Sequence, residues 1–343
     1  MGGFDGLIGQ DALVQRLQQA IISGRVAHAY LITGAPGSGK KTLAMAFAQA
    51  LFCMEDPGRA CGTCQDCRRI EAGNHPDMTI VPPEAGRIKI DQVRRLKERF
   101  ALQSYEGSWK AGIVVGAETM TVEAANSLLK LLEEPSGQAV IMLLSTSPSM
   151  LLPTIVSRCQ RIAMKRIPRQ LIASYLEREF GFSPQRAAVV AGLADGRLGQ
   201  AKEYAKEENL ARMEQILSAL AASEGRGLQA LRLAAELDAD PEALEFAMQI
   251  IATWLRDMLL AASGCPQDTI VHQNYYDKLL EQSRLYPMAA IRQAVWQVED
   301  AARALRANAN RRLTLDALLY QLADLNSSSR AKEVYRYGKS GGS

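Results

Sequence analysis

Gly34-Ala35-Pro36-Gly37-Ser38-Gly39-Lys40 has the residue types and spacing of a phosphate-binding loop. In such a loop backbone N–H groups turn inward, and the helix that follows offers its positive N-terminus. A lysine adds charge near the β- and γ-phosphates. Gly34, Gly37, Gly39 and Lys40 fill those positions here. In a working site the next residue carries the hydroxyl that holds magnesium. Here it is Lys41, and Thr42 comes one residue later, turned about 100° around the helix. Binding of ATP or ADP through Gly34, Gly37, Gly39, Lys40 and Thr42 stays open, while magnesium-dependent hydrolysis is disfavoured.

A hydrolytic site of this kind also needs an acid at a neighbouring strand end, to hold magnesium and orient water. That place follows Ile113-Val114-Val115, where the chain reads Gly116-Ala117-Glu118. Glycine and alanine cannot ligate a metal. Glu118 is two residues out of register and reads as a solvated loop glutamate before it reads as a displaced ligand. The losses at Lys41 and at Gly116-Ala117 are independent and agree.

A second kind of chemistry sits just downstream. Cys53-x7-Cys61-x2-Cys64-x2-Cys67 places four thiols within 15 residues, and the two remaining cysteines, Cys159 and Cys265, are isolated. In a reducing compartment such a cluster points to a metal rather than to disulfides. Zn²⁺ takes four thiolates tetrahedrally, and the short spacings let the sulfurs converge. With no open position left, the expected zinc is structural, one per chain; redox or incidental thiols are the rival reading. His75, in Gly73-Asn74-His75-Pro76-Asp77, is a second candidate ligand and reads first as a hydrogen-bonded turn residue.

These groups need a scaffold. Ala29-Tyr30-Leu31-Ile32, Gly112-Ile113-Val114-Val115 and Val140-Ile141-Met142-Leu143-Leu144 are short apolar runs alternating with helical stretches, such as Thr42 to Phe52. That pattern predicts a parallel sheet covered on both faces. After Pro168 the strand signals stop. Residues 169–205 read as short helices, and 207–325 as helical almost throughout. Leu244, Met248, Ile251, Leu255, Met258 and Leu259 recur at spacings that mark one helix face. The expected division is an α/β domain over 1–167 carrying the cysteine module at 53–67, a helical domain over 168–206, an all-helical domain over 207–328 and a disordered tail over 329–343.

Composition bounds the rest. At 48% hydrophobic and 22% charged the chain can bury ordinary cores, and a net charge of +3 is too small to argue for nucleic acid. No leader-like segment opens it, and no uncharged apolar run reaches the ~18 residues of a membrane span. A soluble cytoplasmic protein is expected.

Several segments resemble the AAA+ clamp-loader subunits of bacterial DNA polymerase III. Arg25-x2-His28-Ala29-Tyr30-Leu31 runs into the phosphate loop as it does there, and the cysteine module follows the loop's helix. Gly73-Asn74-His75-Pro76-Asp77 resembles the turn after that module. Ala124-Ala125-Asn126-Ser127-Leu128-Leu129-Lys130-Leu131-Leu132-Glu133-Glu134-Pro135 is similar to the family's NxLLKxLEEP helix, and Ser157-Arg158-Cys159 to its SRC signature. Asn308-x-Asn310-x2-Leu313-x-Leu315-x2-Leu318-Leu319 resembles the last collar helix. The likeness spans nearly the whole chain.

The resemblance implies an AAA+ domain, a helical lid and a helical collar. It implies assembly with gamma/tau and delta subunits into a ring of five that loads a sliding clamp onto primer-template DNA. The family's ATPase subunits keep an Asp-Glu pair where this chain has Gly116-Ala117, a hydroxyl residue where it has Lys41, and a lid arginine where it has Gly199. The chain is therefore similar to the non-hydrolysing member. It implies for Arg158 the role of an arginine presented across an interface to a neighbour's ATP. Cys159 is read as a small buried hydrophobe. For Lys89, Arg94, Arg95 and Lys97, DNA contact and a solvated face both stand. The alternatives are an active gamma/tau-type ATPase using Thr42 and Glu118, and a zinc-containing module outside replication.

Overall fold

A computed structural model describes residues 3–102, 109–133, 137–222, 240–306 and 309–322. The expected tail at 329–343, Asn308 of the collar motif, and Glu134 and Pro135 lie outside these residues. The chain forms two compact units: residues up to Leu171 together with Gly196–Gln200, and Ile172–Asp195 together with the chain from Ala201.

The first unit is built on a five-stranded sheet. Its strands are β1 (Ala29–Thr33), β2 (Met78–Val81), β3 (Lys110–Val115), β4 (Ala139–Ser145) and β5 (Gln160–Ala163), in the order β2-β3-β4-β1-β5. All four pairings are parallel, with Leu31 beside Leu143 and Ile113 beside Met142. Every residue of β1 and β4 is buried. Successive side chains point to opposite faces. Tyr30 and Ile32 accordingly join Leu43, Phe47 and Met142 on one side, and Ala29 and Leu31 join Leu128, Leu132 and Leu143 on the other.

Helices α1 (Asp11–Ile22) and α2 (Lys40–Phe52) supply the first layer. Helices α3 (Ile90–Ala101) and α4 (Val122–Glu133) supply the second. Gly112 in β3 faces α3 so closely that a Cβ would lie 3.1 Å from Phe100 Cζ and 3.2 Å from Leu96 Cδ1. The three apolar runs are thus strands, as their composition predicts. β2 and β5 are additional strands that it did not signal.

The rest of the described chain is helical: Arg169–Phe180, Pro184–Leu193, Leu198–Tyr204, Glu207–Ala222, Pro241–Ala262, Tyr276–Ser283, Met288–Arg306 and residues 311–322. Ser183 caps Pro184–Leu193 by accepting from Arg186 N. On Pro241–Ala262 the expected apolar face is present, with Leu244, Met248, Ile251 and Met258 buried and Leu255 and Leu259 half-buried.

That helix also carries a buried polar network. Asp257, wholly inaccessible, accepts from Val271 N, His272 N (2.8 Å) and His272 Nδ1 (2.8 Å). Trp254 Nε1 donates to Gln282 Oε1 (3.0 Å), and Gln282 Nε2 donates to Leu220 O (2.8 Å). Buried donors without acceptors cost far more than a hydrogen bond gains. Asp257→Ala strands two backbone N–H groups and an imidazole, so the unfolding free energy should fall by about 3 kcal/mol, read as a lower urea midpoint. A loss under about 1 kcal/mol would show that the network is dispensable.

Candidate functional site

The phosphate loop leaves the C-terminal end of β1. Gly34 N donates to Ser145 O (3.2 Å) and Ser38 N to Ala35 O (3.1 Å), which closes the turn. Gly37 and Gly39 have φ values of 74° and 91°, a region that a side chain would strain. Lys40 Nζ does not point into open space. It donates to two carbonyls of its own loop, Gly34 O (2.6 Å) and Ala35 O (2.9 Å). Burial holds its ammonium below the usual lysine value, an effect that Glu118 opposes. Lys41 and Thr42 are both exposed, and Ser38 Oγ is buried without a partner.

Gly116 has a φ of 67°, so the backbone turns left-handed just after β3, where an acidic ligand would stand. Ala117 is buried. Glu118 is not loose in solvent: its Oε1 accepts from Thr146 N at 3.1 Å, at the end of β4. The expectation of a free loop glutamate is corrected to that extent.

Gly199 lies against the loop. Its N–H donates to Gly37 O at 3.0 Å. A Cβ at residue 199 would stand 2.9 Å from that oxygen and 3.2 Å from Gly37 Cα, so no larger residue fits unless the loop moves.

Arg158 follows the short helix Pro153–Val156 and leads into β5. Its Nε donates to Glu133 Oε1 (2.7 Å), its Nη2 meets the same oxygen, and its Nη1 donates to Thr154 O (2.9 Å). The side chain remains 37% exposed. Next to it Cys159 is half-buried, and burial pushes its thiol up to about 11. It packs half-buried against the apolar core of the second layer, so the expectation of a fully buried residue is corrected to that extent. Lys89, Arg94 and Arg95 are exposed, and Arg94 and Arg95 pair with Asp91 (3.3 Å) and Glu84 (3.5 Å); Lys97 is half-buried.

The sulfurs of Cys53, Cys61, Cys64 and Cys67 lie within 4.8 Å of one another. Ligands about 2.3 Å from a tetrahedral ion are about 3.8 Å apart, so the set fits one metal ion. Backbone N–H groups of Asp56 and Cys61 point at Cys53 Sγ (3.3 Å each), that of Cys64 at Cys61 Sγ (3.2 Å) and that of Cys67 at Cys64 Sγ (3.4 Å). Such donors favour thiolate. Hydrogen bonds from Thr63 bring Cys61 down to about 7, while burial pushes Cys67 up.

His75 is outside this set. Its Nδ1 accepts from Asp77 N (3.2 Å), its Nε2 faces Asp66 (3.4 Å) and its ring packs on Phe52, as a turn histidine would. One residue had no signal in the sequence. Gln49, on the helix after the loop, accepts from Gly3 N (2.9 Å) and donates to Cys67 O (3.1 Å), tying loop helix, cysteine module and chain start together.

Two family models match the chain: "DNA polymerase III, delta subunit" over residues 9–168 and "DNA polymerase III, delta subunit, C terminal" over residues 207–324. The DNA polymerase III subunit delta' of Bacillus subtilis is 28% identical over 321 residues, 92% of this chain and 96% of that one. That of Escherichia coli is 32% identical over 261 residues, 75% of this chain and 77% of that one. A gamma subunit-related protein of Thermotoga maritima covers 91% of this chain and 99% of its own at 21% identity, with a TM-score of 0.47.

Sheet, loop and helical remainder define a P-loop α/β protein of the AAA+ type with an all-helical C-terminal region. The chain belongs to the family of delta-prime subunits of DNA polymerase III, the clamp-loader subunits to which its motifs pointed.

Freshly purified, reduced protein should contain a single metal ion per chain by elemental analysis, and Cys64→Ser should lose it with a lower melting temperature. Wild-type protein free of metal would overturn that reading of the cluster.

Proposed function

We propose that this chain is a non-hydrolysing clamp-loader subunit that lends Arg158 to a neighbour's ATP. What supports the reading is a phosphate loop with no magnesium ligand at Lys41, Gly116 or Ala117, in the same unit as a partly exposed arginine. Its partners are gamma/tau and delta subunits in an assembly of five, and through it the sliding clamp and primer-template DNA. It works in the bacterial cytoplasm; none of its described helices is long and apolar enough to cross a membrane. The helical part divides into a lid over 168–206 and an oligomerising collar over 207–328.

In phosphoryl transfer, charge builds on the transferred group, and an arginine supplied in trans stabilises it by several orders of magnitude in rate. The planar fork of Arg158 suits phosphate oxygens in a way lysine cannot match. Within this chain, Lys40 binds its own loop's carbonyls, and Gly199 brings no arginine to the loop. Gly34, Gly37, Gly39, Lys40 and Thr42 then form a loop that shapes the fold and at most holds nucleotide without turning it over. The rival, a gamma/tau-type ATPase, would need Thr42 and Glu118 as metal ligands; Thr42 is exposed, and Glu118 already accepts from Thr146 N through one of its two oxygens.

The ion held by Cys53, Cys61, Cys64 and Cys67 is zinc on this reading. Four sulfurs fill its coordination, so it would stiffen the segment after the loop helix and catalyse nothing.

The deciding measurement is ATP turnover. The subunit alone should be silent. In a complex reconstituted with gamma/tau and delta, Arg158→Ala should lower kcat at least about tenfold. Turnover by the lone subunit that disappears in Lys40→Ala would establish the rival.

A further inference from the structure

We propose that Glu133 is the positioning residue for Arg158: it grips one edge of the guanidinium so that the opposite edge faces outward toward phosphate. The inference rests on the trans-arginine reading above and adds the device that aims the group.

A guanidinium has five N–H donors in a rigid plane. Three are engaged here: Nε and one N–H of Nη2 by Glu133 Oε1, and one N–H of Nη1 by Thr154 O. That leaves one N–H on each terminal nitrogen. Nε and Nη2 share one edge of the plane, so the remaining N–H of Nη2 lies on the edge between the two terminal nitrogens. With the Nη1 N–H on the Cδ side assigned to Thr154 O, the remaining Nη1 N–H lies on that same edge. Two parallel N–H groups there match a phosphate's two oxygens.

Glu133 is an odd choice for stability. It closes α4, where the helix dipole disfavours negative charge. Both partners are substantially exposed, at 37% and 48% of the side chain, and exposed pairs add little to folding. The carboxylate even offsets part of the arginine's attraction for phosphate. What the pair supplies is direction. A long side chain that samples many rotamers in solvent is fixed between the end of α4 and the turn after Pro153–Val156. Holding a catalytic group in place removes the entropy of finding its pose from the reaction step.

The test is ATP turnover in the complex with gamma/tau and delta. Glu133→Ala should lower kcat on the order of tenfold and leave KM for ATP as in wild type, with Glu133→Gln, which keeps an acceptor oxygen, losing less. In an Arg158→Ala background, Glu133→Ala should change nothing further. A loss that persists in that background would mean that Glu133 acts through the fold, and would overturn the proposal. A rise in kcat would overturn it too, by making the pair a restraint on the arginine. If Arg158→Ala slows the complex and Glu133→Ala does not, the positioning inference falls alone. If Arg158→Ala has no effect, the trans-arginine reading falls and takes this inference with it.

Discussion

The interior strand β1 is hydrogen-bonded on both sides and buried along its whole length, and the placement of the site depends on that constraint. In a parallel sheet all strands end at the same edge, and loops leaving that edge converge. The phosphate loop leaves β1, the Gly116 turn leaves β3, and the Thr146 amide that holds Glu118 lies just beyond β4. Register sets their relative heights: Val115 is level with Leu144, and Leu144 with Ile32. A slip of one residue in β1 would exchange its two faces and move the loop with it.

At this edge Lys41, Gly116 and Ala117 stand around the loop, and the two charged groups beside them are held by backbone. Lys40 and Glu118 stand near enough to interact, and each is held by backbone, the lysine by two carbonyls and one oxygen of the acid by an amide, while Glu118 Oε2 is buried without a partner. Close approach of Gly199 to Gly37 completes the arrangement, because it leaves no room for a side chain at residue 199.

Much of this was legible in the sequence. β1, β3 and β4 are buried on both faces, so their residues are apolar without alternation, and their runs stood out. β2 and β5 are edge strands. Met78-Thr79-Ile80-Val81 is buried only at its two ends, and Gln160-Arg161-Ile162-Ala163 only at Ile162, so neither needs an apolar run. The cysteine cluster could be read because its ligands are near in sequence and share one residue type. The contact of Glu133 with Arg158 and the Asp257–His272 pair could not. Their partners are 25 and 15 residues apart, and periodicity reports the apolar face of a helix but not a polar group buried with it.

Gln49 has a consequence beyond its two hydrogen bonds. One end of its amide is held by the carbonyl of Cys67 and the other by the N–H of Gly3, 46 residues away in the chain. The Gly3 amide is consequently a remote witness to the sulfur cluster. Gln49 anchored to Cys67 O is what gives the Gly3 amide its acceptor, so the protection of that one amide against exchange depends on the order of the cysteine segment. The start of the polypeptide thereby registers whether a segment some fifty residues downstream is in order.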